Sequence, residues 1–246
     1  MSHRPVCKPV SLAAGIALAF VFMFARGARA EEFYYMMVFG SQRVPPQASY
    51  SHTFATFVKA TGQGPCAESY ALESVTISWL PRVLDIRLFA LLPELGQNLD
   101  LYATIRWALN TGQRVSMWGP YRIDQDLYCR AVRQVRLLES GTVQYKAVDA
   151  GWPGTVASNC IHAVSSIEGG RILRVLSINH GETASFCVTL RLSPWILDGR
   201  RKHEWVSARL GIDAYPIIHR ELENPHSGVV QWALRAPFRA SEALVP

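Results

Sequence analysis

Apolar and polar positions follow a two-residue rhythm in the first third of the chain and a helical one further on. Phe33 to Phe39 is an almost unbroken aromatic and aliphatic run, which predicts a buried strand, and Arg43 to Gln47, with Pro45-Pro46, ends it. Ser51 to Thr61 predicts a second strand. By alternation His52, Phe54, Thr56 and Val58 share one face, and Thr53, Ala55, Phe57 and Lys59 share the other. Gly62 and Gly64-Pro65 then turn the chain into a third strand, Ser74 to Leu80, bounded by Pro81.

Helical spacing follows. Asn98 or Asp100 caps a helix carrying Tyr102, Ile105 and Leu109 that ends near Gly112. Asp124 caps a second, with Leu127, Ala131, Val135 and Leu138 on one face and Gly141 as its stop. Arg130, Arg133 and Arg136 fall between those apolar positions and read as a solvated face, while capping explains Asp124 and Asp126. Between the two helices, Trp118-Gly119-Pro120-Tyr121 is aromatic and turn-like and reads as an anchor of the core, with the lining of a groove as the alternative.

Thr142 to Asp149 predicts another strand, and Gly151-Trp152-Pro153-Gly154 a loop. A short helix begins at Ser158-Asn159-Cys160 and runs to about Ile167, where Gly169-Gly170 ends it. Arg171 to Ile178 and Ala184 to Leu192 alternate as strands around His180-Gly181-Glu182, and Pro194 opens a last helical stretch. The mixture is α+β, an antiparallel sheet with packed helices. With no linker, repeat or low-complexity tract, one domain over residues 31–246 is the simplest organisation.

Residues 1–30 read differently, as a secretory signal peptide. Arg4 and Lys8 precede a sixteen-residue apolar run from Val10 to Ala25, and Ala28-Arg29-Ala30 offers a cleavage site before Glu31. Removing Arg4, Lys8, Arg26 and Arg29 takes the formal charge from +6 to +2, so the basic balance belongs mostly to the leader. The remaining Lys and Arg are dispersed, no later stretch is apolar enough to span a bilayer, and nucleic-acid binding has little support. The expected location is secreted or periplasmic.

Usual signatures are missing: there is no His-Glu-x-x-His, paired Cys-x-x-Cys, P-loop, Gly-x-Gly-x-x-Gly or Gly-x-Ser-x-Gly. No cofactor and no metal are therefore expected. Cys66, Cys129, Cys160 and Cys187 remain after the leader, and in an exported chain this even number permits two disulfides with three possible pairings. The competing reading leaves Cys160 free. At the first turn of a helix, backbone N–H groups and the helix dipole stabilise a thiolate. His162 would point some 200° away on that helix, so His52 on its strand is the candidate base and His180 the alternative. Asn159 is the helix cap or an oxyanion contact. Thr76, Ser78 and Glu73, on the next strand, are candidates to orient the imidazole.

Asn159-Cys160-x-His162-x-Val164, with Ser51-His52-Thr53-Phe54 upstream and Tyr145 to Asp149 before it, resembles the nucleophile motif of circularly permuted papain-like cysteine hydrolases and acyltransferases. The likeness is to the lecithin:retinol acyltransferase-like branch of the NlpC-type superfamily, over roughly residues 50–167. It implies a papain-like α+β fold, with Cys160 as nucleophile and His52 as base. The implied substrate is a peptide or isopeptide amide, such as a cell-wall peptide, or a lipid acyl ester. The alternative is a non-enzymatic secreted domain, stabilised by two disulfides, that binds a partner through exposed aromatics.

Overall fold

Burial on both faces sets the character of the central strands. The computed structural model describes residues 30–64, 66, 69–148, 157–169 and 181–222; the expected leader, the expected strand 171–178 and His180 lie outside them. Strand β1 (Glu31–Gln42) is buried from Tyr34 to Gln42, which is why its sequence is a continuous apolar run rather than an alternation. It pairs antiparallel with β2 (Ser51–Gly62) in unbroken register, Phe39 opposite Phe54 and Ser41 opposite His52. Strand β3 (Ala71–Ile77) flanks β2, while β6 (Arg114–Ile123) and the short parallel β9 (Ile217–Arg220) extend the other side, giving the order β3-β2-β1-β6-β9. A second sheet, of order β4-β5-β7-β8, is built from Trp79–Pro81, Glu94–Asn98, Gln144–Tyr145 and Ala157–Ser158. The fold is α+β with two sheets.

Two core layers clasp the larger sheet. Met36, Val38, Ala55, Phe57 and Ile77 face one layer, which holds residues of α2 (Gln125–Glu139), α3 (Cys160–Ser165) and α4 (Gly181–Leu192). Tyr35, Met37, Phe39, Phe54 and Val58 face the other, with Leu101, Ile105 and Ala108 of α1 (Leu101–Asn110) and Val206 of α5 (Glu204–Arg209). The caps follow the sequence. Asp100 accepts from the Ala103 N–H, Asp124 from Asp126 and Asn159 from His162.

Two elements depart from the sequence reading. Trp118-Gly119-Pro120-Tyr121 is not a turn but the middle of β6, where the β1 register jumps from Met36 opposite Tyr121 to Val38 opposite Trp118. Gly119 sits in this bulge at φ +97°, and a Cβ there would lie 2.6 Å from the Met36 carbonyl oxygen. The Gly-Pro pair marks a bulge inside a strand rather than its end. Ala184 to Leu192, expected as a strand, is helical. Ala184, Ser185 and every residue from Cys187 to Leu192 are buried, so the segment lacks the polar face by which a helix is recognised. Of the expected strand 142–149 only Gln144–Tyr145 is one, with Asp149 outside the described residues.

Helix α4 lies directly on β1 because residue 40 is glycine. A Cβ on Gly40 would stand 2.7 Å from Ser185 Oγ and 2.9 Å from Glu182 Cα. The Gly40→Ala variant is expected to lose about 1–3 kcal/mol by overpacking, read as a lower thermal midpoint; an unchanged midpoint would contradict this packing.

Candidate functional site

The open end of β2 carries the candidate chemistry. Pairing with β3 stops at Ala55 opposite Ile77, so Ser51 to Phe54 have no strand partner on that side. Residue 78 leaves the β3 line and is held by Asn98, which accepts from the Ser78 N–H at 2.8 Å and donates to the Thr76 carbonyl at 2.8 Å. Asn98 is thus a bracket between two strands, not a helix cap, and Thr104 of α1 adds a hydroxyl contact to Ser78 Oγ at 2.8 Å.

His52 is fully buried here. Its Nε2 lies 2.9 Å from Ser78 Oγ, and its ring stacks on Phe54 and meets Trp107 edge-on. Nδ1 is buried with no hydrogen-bond partner among the described residues. Burial lowers the His52 pKa to about 3, because the charged ring would lose its hydration without gaining a countercharge. Of the three expected orienting residues only Ser78 touches the imidazole. Thr76 bonds Thr56 Oγ1 at 2.9 Å, and Glu73 is exposed in register with Lys59, so neither can orient the ring.

Cys160 approaches β2 from the opposite layer. It opens α3 behind the Asn159 cap, and the backbone N–H groups of Thr53, Ile161 and Cys160 itself face its sulfur. Burial outweighs these donors and pushes the thiol up to about 11. No hydrogen bond joins it to His52, whose side chain leaves the strand on the α1 face while Thr53 points toward α4, its Oγ1 2.9 Å from Ser185 Oγ. The thiol and the imidazole therefore flank one strand end without meeting. All four described cysteines are free, which corrects the expected two disulfides; Cys187 is buried on α4, which raises its pKa to about 11. His162 is buried on α3, and Asn159 serves as its cap.

Two surrounding features were not legible in the sequence. Glu182, expected in a turn, accepts from Arg114 Nε and Nη2 at 2.9 Å each, the Ser116 hydroxyl at 2.5 Å and Arg220 at 3.2 Å. Its carboxyl is held below the usual value by Ser116, Arg114 and Arg220, against the opposing effect of burial. These partners lie 38 to 68 residues away in sequence, beyond any local pattern. The second feature is a loop between β4 and β5 that exposes Phe89 (94%), Leu91 (83%) and Leu92 (66%). The Lys146 ammonium bonds its Ala90 and Leu91 carbonyls, and the Lys146 N–H donates to the Ser158 carbonyl, two residues before Cys160.

Among the described residues no helix is long and apolar enough to cross a membrane, and no cluster of His, Cys, Asp and Glu could hold a metal ion. Comparison with protein-family models, curated proteins and solved structures finds no match.

The buried neutral imidazole gives stability a pH dependence of known sign. Its folded pKa lies below its unfolded value near 6.5, so the unfolded chain takes up the proton first. The His52 contribution is fully present above about pH 6.5 and is lost as pH falls toward 3. Denaturant titrations from pH 7 to 4 are expected to show a slope of about 1.4 kcal/mol per pH unit from this group, flattened in His52→Gln relative to its own value at pH 7. Parallel pH profiles for the two proteins would contradict it.

Proposed function

We propose that the chain is an exported cysteine-dependent hydrolase or acyltransferase on a permuted papain-like scaffold, with Cys160 as nucleophile and His52 as base. The observation that carries this reading is the free Cys160 sulfur at the open end of β2, met by N–H groups from both a strand and a helix. A carbonyl attacked there would develop its oxyanion close to those donors. On this reading the ring leaves its Ser78 contact as it turns, and the thiol proton passes to His52 Nδ1, the nitrogen without a partner among the described residues. The imidazolium then protonates the leaving amine or alcohol, and water or a second acceptor takes the acyl group from sulfur.

The resting pair is neutral and lies on opposite sides of β2, so the proposed enzyme is unarmed until substrate brings the ring round the open strand edge. An amide, such as a cell-wall peptide, and an acyl ester are both within this chemistry. The exposed Phe89, Leu91 and Leu92 loop, tied through Lys146 to the strand leading into Cys160, favours an ester with an apolar acyl chain.

The second reading is a non-enzymatic exported binding domain, favoured by the same opposite placement of thiol and imidazole. Free cysteines remove the disulfides from that reading. Acylation separates the two. With p-nitrophenyl butyrate the enzyme is expected to give a burst of p-nitrophenolate and a butyryl adduct on Cys160 by peptide mass spectrometry. Cys160→Ser should abolish both, and His52→Gln, checked for folding by circular dichroism, should slow acylation by about a hundredfold or more. A folded protein that never acylates Cys160, or whose acylation rate ignores His52→Gln, would support the binding domain instead.

A further inference from the structure

The opposite end of the same sheet holds a cleft that the Cys160 chemistry does not use. It has a volume of about 490 Å³, within the range of small-ligand sites, and lies where β1 begins, β6 ends and α5 starts. Its apolar lining comes from Phe33, Tyr35 and Trp205. Tyr35 anchors the group, with its ring edge-on to His203 at 5.0 Å and to Trp205 at 5.5 Å between centroids. Three basic side chains line the same cleft: Arg122, Arg201 and His203.

The charges there are only partly balanced. His203 Nε2 is paired with Asp198 at 2.5 Å, but neither Arg122 nor Arg201 has a carboxylate partner among the described residues. Arg122 instead lies over the Phe33 ring, its guanidinium carbon 4.6 Å from the centroid, with its donor edges left for a further acceptor. Glu31 also lines the cleft, its carboxylate accepting the Tyr70 hydroxyl at 3.2 Å and keeping its negative charge there. A concave site with aromatic walls and two guanidiniums outside any ion pair among the described residues, outnumbering the one Glu31 carboxylate in its lining, is suited to a ligand with a flat apolar ring beside an anionic group.

We infer that this cleft is a binding site for an aryl carboxylate, the ring held by Phe33, Tyr35 and Trp205 and the carboxylate by Arg122 and Arg201. The same chemistry occurs in a free aromatic acid and in the C-terminal aromatic residue of a peptide. The site is independent of Cys160, since it is built from the other ends of β1 and β6, and it stands whether or not acyl transfer occurs.

Calorimetric titration of the purified protein tests this with 3-phenylpropionate, its neutral counterpart 3-phenylpropanol, and Gly-Gly-Phe as free acid and as amide. The acid is expected to bind saturably and about tenfold or more tighter than the alcohol, the gain of a charge-assisted contact. Arg122→Gln and Arg201→Gln should each erode that preference while leaving the alcohol unchanged, and Trp205→Ala should weaken both. Binding of the peptide acid but not its amide identifies a peptide C-terminus as a source, and binding of 3-phenylpropionate alone identifies a free acid. Equal affinity for acid and alcohol, or no saturable binding of any acid at millimolar concentrations, overturns the inference. The wild-type comparison of acid with alcohol does so even if a variant fails to fold.

Discussion

Strand β2 imposes the constraint on which the rest depends: successive side chains of an extended chain must leave on opposite sides. Because β2 is buried on both faces, each side is committed to a different core. Phe54 and Val58 go to the layer of α1, Ala55 and Phe57 to the layer of α2, α3 and α4. A one-residue slip would exchange both sets at once, and the unbroken β1–β2 register, with Phe39 stacked on Phe54 at 4.6 Å, opposes it. His52 and Thr53 inherit their directions from this arrangement. The imidazole is sealed into one layer and the residue beside it faces the helices of the other.

The electrostatic state of the site follows from that geometry. A nucleophilic thiolate needs a nearby positive charge or enough hydrogen-bond donors to outweigh desolvation. Among the described residues Cys160 has three backbone donors and no adjacent cation, so burial prevails and the thiol stays protonated. Among the described residues His52 has one hydroxyl contact and no carboxylate, so it stays neutral as well. The cleft at the far end presents the reverse case, two guanidiniums outside any ion pair among the described residues, with one carboxylate, Glu31, in the lining beside an aromatic wall. One sheet thus carries an electrically quiet thiol at one end and a cleft with two guanidiniums at the other.

Local signals made much of this legible in the sequence. Alternation through Ser51 to Thr61 assigned the faces of β2 correctly, and the caps at Asp100, Asp124 and Asn159 are where short polar side chains before apolar periodicity placed them. Ser78 was among the expected neighbours of His52, and it is the one in contact. What failed had a physical reason in each case. Strand β6 was hidden by Gly119-Pro120, which forms a bulge, and α4 by its burial on nearly all sides. The even cysteine count suggested bridges that the fold does not make. Knowing the face of His52 was not enough to locate Cys160, because the side from which α3 approaches is decided by tertiary packing. The cleft of Arg122, Arg201 and Trp205 likewise joins segments about eighty residues apart.

The central claim is that β2 keeps His52 and Cys160 apart and neutral at rest. Nitrogen-15 and carbon-13 NMR titration of the His52 ring, in the wild type and in Cys160→Ser, tests it most directly. A neutral imidazole is expected from pH 8 down to at least pH 5, with the same shifts in both proteins. An imidazolium persisting above pH 7 in the wild type and lost in Cys160→Ser would reveal a standing thiolate–imidazolium pair and contradict it.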